Sequence, residues 1–102
     1  MQGYRVVFAD IADSDLEDIV MYLSGFSPDI ALRYYAEIVK KANSLSAMPE
    51  RYPFVNDEVL RAAGYRWLAV RNYIIFYFVN KVSHKVQIRR ILYSGRDYTV
   101  LL

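Results

Sequence analysis

The chain contains no cysteine and only one histidine, His84, among its 102 residues. Without cysteine, disulfide bonds, iron–sulfur clusters, thiolate zinc sites and cysteine nucleophiles are all excluded. A single histidine excludes a metal site built from several histidines, and a Ser-His-Asp triad would have to use His84. Because His84 lies in a predicted turn, where histidine is usually just exposed, the sequence predicts neither a metal nor another cofactor.

Long apolar runs are also missing, and there are only 4 glycines and 3 prolines. No uncharged apolar stretch approaches the roughly 20 residues that cross a bilayer, and no apolar signal core follows the first residues. Hydrophobic residues make up 55% of the chain and charged residues 24%, which is typical of a folded domain. We therefore expect a single domain over residues 1–102, in the cytoplasm and without a membrane partner.

Acidic and basic residues are unevenly distributed along the chain, although the net charge is only +2. Basic residues are the minority in the first half, and acidic residues are nearly absent from the second. Residues 1–58 carry five basic and ten acidic side chains, whereas residues 59–102 carry eight basic side chains and one acid, Asp97. Such asymmetry favours a nucleic acid or an acidic partner for the basic half. The alternative is that the two halves simply attract each other within the fold.

Two amphipathic helices are predicted in the acidic half. The first should be capped by Asp10 and closed by Gly25 in a left-handed conformation. The second should begin at Ser27-Pro28, with serine as the cap and proline in the first turn. The short link between them indicates an antiparallel hairpin. Apolar residues at helical spacing should form its packed face: Leu16, Ile19, Val20, Leu23, Tyr35, Ile38 and Leu45.

Four strands are predicted, one before the helices and three after them. They are Tyr4–Phe8, Tyr65–Val70, the apolar run Tyr73–Val79 and Lys85–Tyr93. The run Tyr73–Val79 should be central and covered on both faces, and in the turn before it Asn72 should take a positive φ. The packed positions should include Leu68, Ile75 and Tyr77. The order β-α-α-β-β-β predicts an α+β fold, a helical hairpin on a mostly antiparallel sheet of about four strands.

Arginines in the three C-terminal strands are candidate binding residues: Arg66, Arg71, Arg89 and Arg90. We expect them to form a basic strip on the exposed sheet and its turn, which binds nucleic acid or an acidic protein segment. The alternative is solvated charge that blunts pairing at the sheet edge. Simple alternation along the last strand would place Val86, Ile88 and Arg90 on one face and Gln87, Arg89 and Ile91 on the other.

Arg96 and Tyr93 are candidates for chemistry after the last strand. An arginine can bind phosphate, and a phenol can act as an acid or a base. Because the reference pKa of a phenol is about 10, Tyr93 would need help from adjacent cations. The alternative is structural: Arg96 pairs with Asp97 or with a helix carboxylate, and Tyr93 packs at the sheet edge.

Several segments of this sequence together resemble the RelE/ParE superfamily of small toxins from bacterial type II toxin–antitoxin systems. They are RWLAVRNYIIFY at 66–77, VQIRRILYSGRD at 86–97, DLEDI at 15–19, and Leu45 and Pro49 near the end of the second helix. The resemblance covers roughly residues 4–97. It implies a toxin neutralised by a cognate antitoxin whose extended tail wraps the toxin surface, with operator DNA contacted only through the antitoxin.

The superfamily holds two activities, and one position separates them here. RelE-like members cut messenger RNA on the ribosome, whereas ParE-like members poison DNA gyrase and are not known to have chemistry of their own. In the ribonucleases a basic residue commonly follows the tyrosine of the central strand, but Ile74 follows Tyr73 in this chain. Losing one charge-stabilising donor typically costs about 10²–10³-fold in rate.

The resemblance therefore favours a ParE-like toxin that inhibits gyrase by binding and is not an enzyme. Its target- or antitoxin-binding residues would be Arg66, Arg71, Arg89, Arg90 and Arg96. One alternative is a ribosome-dependent messenger RNA endoribonuclease that uses Arg96, Tyr93, Arg66 and Arg71. Another is a toxin-fold protein that has lost its activity.

Overall fold

A computed structural model describes residues 3–102 of the chain. Its helices and strands are β1 Arg5–Phe8, α1 Asp10–Ser24, α2 Pro28–Asn43, α3 Glu58–Ala62, β2 Arg66–Val70, β3 Tyr73–Asn80 and β4 Lys85–Tyr93. Short 3₁₀ turns lie at Ser44–Ser46, Pro49–Arg51 and Tyr98–Val100. The predicted order of strands and long helices is confirmed, and the short α3 is an addition before β2.

The four strands form one sheet in the order β1-β4-β3-β2. Strands β2, β3 and β4 pair antiparallel with one another, and β1 pairs parallel with β4. The start of the β2 edge is covered, because Val55 N–H donates to Tyr65 O and Trp67 N–H donates to Pro53 O. The architecture is the α+β fold that the sequence predicts.

Two cores lie on opposite faces of this sheet. The main core lies between the sheet and the α1–α2 hairpin, and its buried residues include Leu16, Ile19, Ile38, Leu45, Leu68, Ile75 and Tyr77. A second core on the outer face buries Val55, Phe76 and Leu92 beneath the C-terminal segment. The prediction that the central strand is covered on both faces is thus confirmed.

Tyr35 does not belong to the core, so that prediction is wrong. Its side chain is 47% exposed, whereas Tyr34 packs edge-on against Tyr73 with 6.0 Å between ring centroids. Adjacent residues of a helix point about 100° apart, so only one of two neighbouring tyrosines can face the sheet. Val20 and Leu23 are only partly buried.

The predicted ends of the helices are only partly right. Ser27 caps α2, since its Oγ accepts a hydrogen bond of 3.3 Å from Ile30 N–H. Asp10 is not a cap: α1 begins at that residue, and Ala9 is the N-cap, without a side-chain bond. Ala9 N–H donates to Ile88 O, so pairing with β4 continues directly into the helix. Gly25 closes α1 with a φ of −64° and not in the left-handed region.

Two details of the β2–β3–β4 meander also differ from the prediction. In the β2–β3 turn, Arg71 and not Asn72 has positive φ, at 54°. A bulge lies in β4, because Phe76 is opposite Arg90 while Tyr77 is opposite Ile88. The extra residue, Arg89, reverses the face of the sheet to which the side chains after Ile88 point. As a result Ile91 joins Val86 and Ile88 in the main core.

Candidate functional site

Two grooves flank the end of β4 and share the side chains of Tyr93 and Arg96. The helix groove lies between α1 and β4, encloses about 500 Å³, and is lined by residues that include Asp18, Ile19, Tyr22 and Tyr73. The outer groove opens on the other face, encloses about 260 Å³, and is lined also by Val55, Asn56, Trp67, Ile74, Phe76, Ser94 and Tyr98. The two candidate residues for chemistry therefore stand between two concave surfaces.

The helix groove exists because β1 is shorter than β4. Strand β1 ends at Phe8, which is opposite Ile88, so the following part of β4 has no strand beside it. Helix α1 occupies that side, and Asp15 Oδ2 accepts a hydrogen bond of 3.0 Å from Ile91 N–H. The chain turn from β1 into α1 thus leaves a gap beside the end of β4.

Two packed tyrosine rings, Tyr73 and Tyr93, line the helix groove, and Tyr34 packs behind Tyr73. Tyr93 packs edge-on to Tyr73, and Tyr73 packs edge-on to Tyr34, each pair with centroids 6.0 Å apart. Burial raises the pKa of the Tyr73 phenol, with further contributions from the neighbouring phenols, so Tyr73 stays neutral at physiological pH. Tyr93 is 52% exposed and offers its ring to a partner.

Arg96 is held beside Tyr93 by the turn after β4. Its backbone N–H donates to Tyr93 O at 2.9 Å. Within residues 3–102 its guanidinium has neither a carboxylate nor a hydrogen-bond partner. The alternative pairing with Asp97 is not formed, because Asp97 accepts bonds from the N–H and hydroxyl of Thr99. Those bonds lower the pKa of Asp97. Arg96 is therefore accessible to an external anion.

Arg66 lies away from this site and has a structural role. Its guanidinium donates to Tyr52 O at 2.6 Å and lies 3.8 Å from the centre of the Phe54 ring. Arg66 is opposite Tyr77 in the sheet, whereas Tyr93 is opposite Tyr73. Four strand residues separate those two positions, which corresponds to roughly 13 Å. The four residues considered for RNA cleavage are therefore not brought together.

The remaining candidate arginines do not form the expected strip, so that expectation is wrong. Arg71 forms an ion pair with Glu37 on α2 through three hydrogen bonds, the shortest at 2.8 Å. Arg90 pairs with Asp15 on α1 through two hydrogen bonds, one to each carboxylate oxygen. Arg89 lies over the outer face of the sheet. Strand alternation and the bulge in β4 make these side chains point in different directions. The roles of these arginines in target or antitoxin binding stay predictions.

The outer groove carries little charge. Among the residues that line it, Arg96 alone is charged. Ile74 is partly buried there beside Phe76 and Leu92. The position at which the ribonucleases offer a cation is therefore apolar, although it lines the same groove as Tyr93 and Arg96.

The aromatic walls that Trp67 and Tyr98 add were not predicted as a site. The available signal was the abundance of tyrosine, 10 residues in all.

Two further observations concern ligands and membranes. Within residues 3–102 no three histidine, aspartate or glutamate side chains lie close enough together to hold a metal ion. No helix in this part of the chain has the length and apolar character needed to cross a membrane.

The element order, the mixed four-stranded sheet and the hairpin on one face are the fold of solved RelE- and ParE-type structures. The sequence profile described as the ParE toxin of type II toxin-antitoxin system, parDE, matches residues 6–98. The chain therefore belongs to the ParE toxin family of type II toxin–antitoxin systems. The resemblance noted in the sequence is confirmed. No curated protein sequence matches the chain.

Solved structures of toxin–antitoxin systems share this fold. A chain of the chromosomal ParDE system from P. aeruginosa has 22% identity and a TM-score of 0.71, over 88% of this chain and 95% of that one. A chain of the RelBE2 complex from Mycobacterium tuberculosis has 24% identity and a TM-score of 0.67, over 89% and 98%. One from the RelE–RelB complex of Pyrococcus horikoshii OT3 has 16% identity and a TM-score of 0.62, over 93% and 99%.

Proposed function

We propose that this ParE-family toxin inhibits DNA gyrase by binding it and does not cut messenger RNA. Gyrase is the proposed target because ParE-like members of the superfamily poison it. The observation that supports binding is the composition of the outer groove, where Ile74 occupies the position of a cation and Arg96 is the one charged residue. Cleavage of RNA needs groups that transfer protons and cations that stabilise the phosphorane. Arg66 and Arg71, which could have supplied that charge, are engaged elsewhere.

The outer groove has the character of a protein-binding hot spot. Trp67, Tyr93 and Arg96 belong to the three residue types that most often carry binding energy in interfaces. Ile74 and Phe76 form an apolar floor from which water is easily displaced. A groove of about 260 Å³ can accept one large anchoring side chain of a protein target, with an acidic neighbour paired to Arg96.

The second proposed partner is a cognate antitoxin, which is supported by the toxin–antitoxin systems among the structural relatives. The helix groove is open beside the end of β4, where an extended tail can follow the strand and place side chains against Tyr22 and Tyr73. Because Arg96 lines both grooves, an antitoxin in the helix groove would also take up the arginine that a target needs. Operator DNA would be contacted only through the antitoxin.

The second candidate function is ribosome-dependent cleavage of messenger RNA. It is favoured by one observation, the turn that holds Arg96 next to the half-exposed phenol of Tyr93. In that mechanism Arg96 would bind the scissile phosphate and Tyr93 would transfer the proton.

Parallel assays of the purified toxin test these functions. We expect the toxin to inhibit gyrase supercoiling, Arg96→Ala to abolish that inhibition, and messenger RNA on ribosomes to stay intact. Arg33→Ala is the matched control, because it removes an exposed cation from α2 and should change neither assay. Cleavage of messenger RNA that is lost in Arg96→Ala, with supercoiling unaffected by the toxin, would establish the ribonuclease function instead.

The antitoxin is tested by co-expression with the product of the adjacent gene. We expect a small acidic or DNA-binding protein that forms a stable complex with the toxin and restores growth. Tyr22→Glu should weaken that complex, because it places a charge on the wall of the helix groove. If neither neighbouring gene encodes such a protein, the antitoxin proposal is wrong.

A further inference from the structure

A cationic cleft lies on the outer face of the sheet, at the end opposite to Tyr93 and Arg96. It encloses about 200 Å³, and none of the residues that line it is acidic. Its walls come from β1, β3 and β4, chiefly Arg5, Val7, Phe78, Asn80, Lys85 and Gln87. The cleft is separate from both grooves already described and shares no residue with them.

Strand pairing explains why these side chains share one face. Arg5 is opposite Lys85 in the parallel pair, and Lys85 is opposite Asn80 in the antiparallel pair. These residues and Phe78 alternate with core residues along their strands and so point away from the helices. The Tyr98 ring stacks on Phe76 at 5.1 Å. Phe78, two residues further along β3, has the Tyr65 ring edge-on at 5.7 Å and is only partly buried.

Arg89 extends the cleft along β4 and is incompletely hydrogen-bonded. Its guanidinium carbon lies 5.8 Å from the centre of the Phe78 ring, and one terminal nitrogen is 3.4 Å from Gln87 Oε1. Its Nε is buried and has no hydrogen-bond partner within residues 3–102. Leaving a buried donor unpaired costs free energy, so the hydrogen bonds of Arg89 within the described residues are incomplete.

The charged residues of the sheet thus divide into two groups. Arg66, Arg71 and Arg90 are each paired with a carboxylate of the hairpin or of the segment that follows it. In the part of the chain that the structure describes, Arg5, Lys85 and Arg89 form no ion pair. Three unpaired cations around an aromatic ring, without a carboxylate among the cleft residues, make this surface complementary to a polyanion.

We propose that this cleft binds single-stranded nucleic acid, with phosphates on Arg5, Lys85 and Arg89 and a base against Phe78. Lys85 and Arg89 are four strand residues apart, roughly 13 Å, a distance that about four stacked nucleotides span at roughly 3.4 Å each. Cations that track a backbone beside an aromatic platform are the usual device for binding single strands. An acidic protein segment would use the cations but would have no base to place on Phe78.

The site is independent of the proposed toxic action. It lies at the far end of the sheet from Arg96, and none of the residues changed in its test, Arg5, Lys85 and Phe78, is assigned to gyrase binding or RNA cleavage. It would tether the toxin to a nucleic acid strand without breaking it. The binding test therefore uses neither gyrase nor ribosomes, and its failure can be told apart from failure of the proposed function.

Fluorescence anisotropy with labelled dT₁₂ and rU₁₂ tests the proposal on the purified 102-residue chain. The double variant Arg5→Gln/Lys85→Gln should weaken binding and reduce the slope of log affinity against log salt by about 1.4, because two phosphate contacts are lost. The control Lys40→Gln/Lys41→Gln removes the same charge from α2 and should leave both quantities unchanged. Phe78→Leu should weaken binding at least about fivefold with an unchanged slope.

The outcomes separate the possible ligands. Tighter binding of rU₁₂ would identify RNA through its 2′-hydroxyl groups, and tighter binding of dT₁₂ would identify DNA. Equal binding would support recognition of the phosphates and bases that both strands share. The proposal is overturned if the two double variants behave alike, or if duplex DNA of the same length binds as tightly as the single strand. Equal binding of polyglutamate would also overturn it, since an acidic protein would then be the better partner. Circular dichroism of each variant excludes loss of folding as the cause.

Discussion

Arg90 and Asp15 are 75 residues apart in the chain and form a two-bond ion pair. Nε of Arg90 lies 2.8 Å from one carboxylate oxygen of Asp15, and a terminal nitrogen lies 2.9 Å from the other. The same carboxylate accepts the N–H of Ile91, and Arg90 also donates to Leu101 O. The pKa of Arg90 is raised by its hydrogen bonds to Asp15. Helix α1, the bulge in β4 and the C-terminal segment are therefore joined at one point.

Replacing Asp15 should destabilise the fold strongly. In Asp15→Ala, Arg90 and the Ile91 N–H lose their acceptor in a site where the two side chains are only 14% and 11% exposed. We expect a loss of about 3 kcal/mol in the free energy of unfolding, measured with urea. Asp18→Ala, an exposed change one turn later, should stay within about 0.5 kcal/mol. Equal losses in the two variants would show that the ion pair does not hold α1 in place.

Ile75 should be among the most sensitive apolar positions. Its side chain is fully buried in the main core, so Ile75→Ala should cost about 2–5 kcal/mol in unfolding free energy. Val82→Ala makes a smaller apolar truncation in a turn where the residue is 96% exposed, and it should change stability little. A loss below about 0.5 kcal/mol for Ile75→Ala would contradict its burial.

Stability should fall above pH 10 because of Tyr77. Burial raises the pKa of Tyr77 to about 12, above the ordinary value of 10.0, and its hydroxyl donates to Pro49 O at 2.7 Å. Between these pH values the unfolded chain loses the proton first, so this group contributes a fall of up to about 1.4 kcal/mol per pH unit. Tyr77→Phe should make the fall shallower in urea titrations at pH 9 to 11.

Tyr93→Phe is the matched control for that titration, because Tyr93 is half exposed. It should keep the alkaline fall of the wild-type chain. Tyr77→Phe should also cost about 1 kcal/mol at neutral pH through the lost bond to Pro49. If both variants show the same alkaline slope, Tyr77 does not dominate the titration.

Two substitutions at Tyr93 should separate binding from catalysis. If the toxin acts by binding, Tyr93→Phe should keep growth inhibition, because the ring that lines both grooves remains. Tyr93→Ala removes that ring and should weaken inhibition. A proton-transferring phenol is worth about 10²–10⁴-fold in rate, so loss of toxicity in Tyr93→Phe would instead indicate cleavage. Dose–response curves from an inducible promoter, with antibody detection of toxin levels, measure both.

Local sequence predicts the elements of this fold well, because each signal lies within one element. The stripe Leu16, Ile19 and Leu23 is visible within α1, and the apolar run of β3 is short and rich in β formers, which favours a strand covered on both faces. The bulge in β4 has no such local signal. It depends on how β4 pairs with β3, and this pairing decides whether Arg90 or Ile91 faces the main core.

The candidate site was predicted only in part, again because some of its features depend on residues that are far apart in the chain. Arg96 and Tyr93 are three residues apart, and the turn between them keeps them together. The partners of Arg71 and Arg90, by contrast, are helix carboxylates 34 and 75 residues away in the chain. A list of arginines cannot show which are neutralised in the fold. The structure separates the paired arginines from Arg96 and Arg89.

The parallel pairing of β1 with β4 also determines when the domain can form during synthesis. Arg5 pairs with Lys85, so the first strand to leave the ribosome has no partner until the last strand, β4, is made. Such a distant contact makes folding slow compared with local helix formation. Both grooves at the end of β4 need residues 91–96. A nascent chain that stops short of residue 96 therefore has neither groove, so a partner that uses them can meet only a chain in which the last strand has been made.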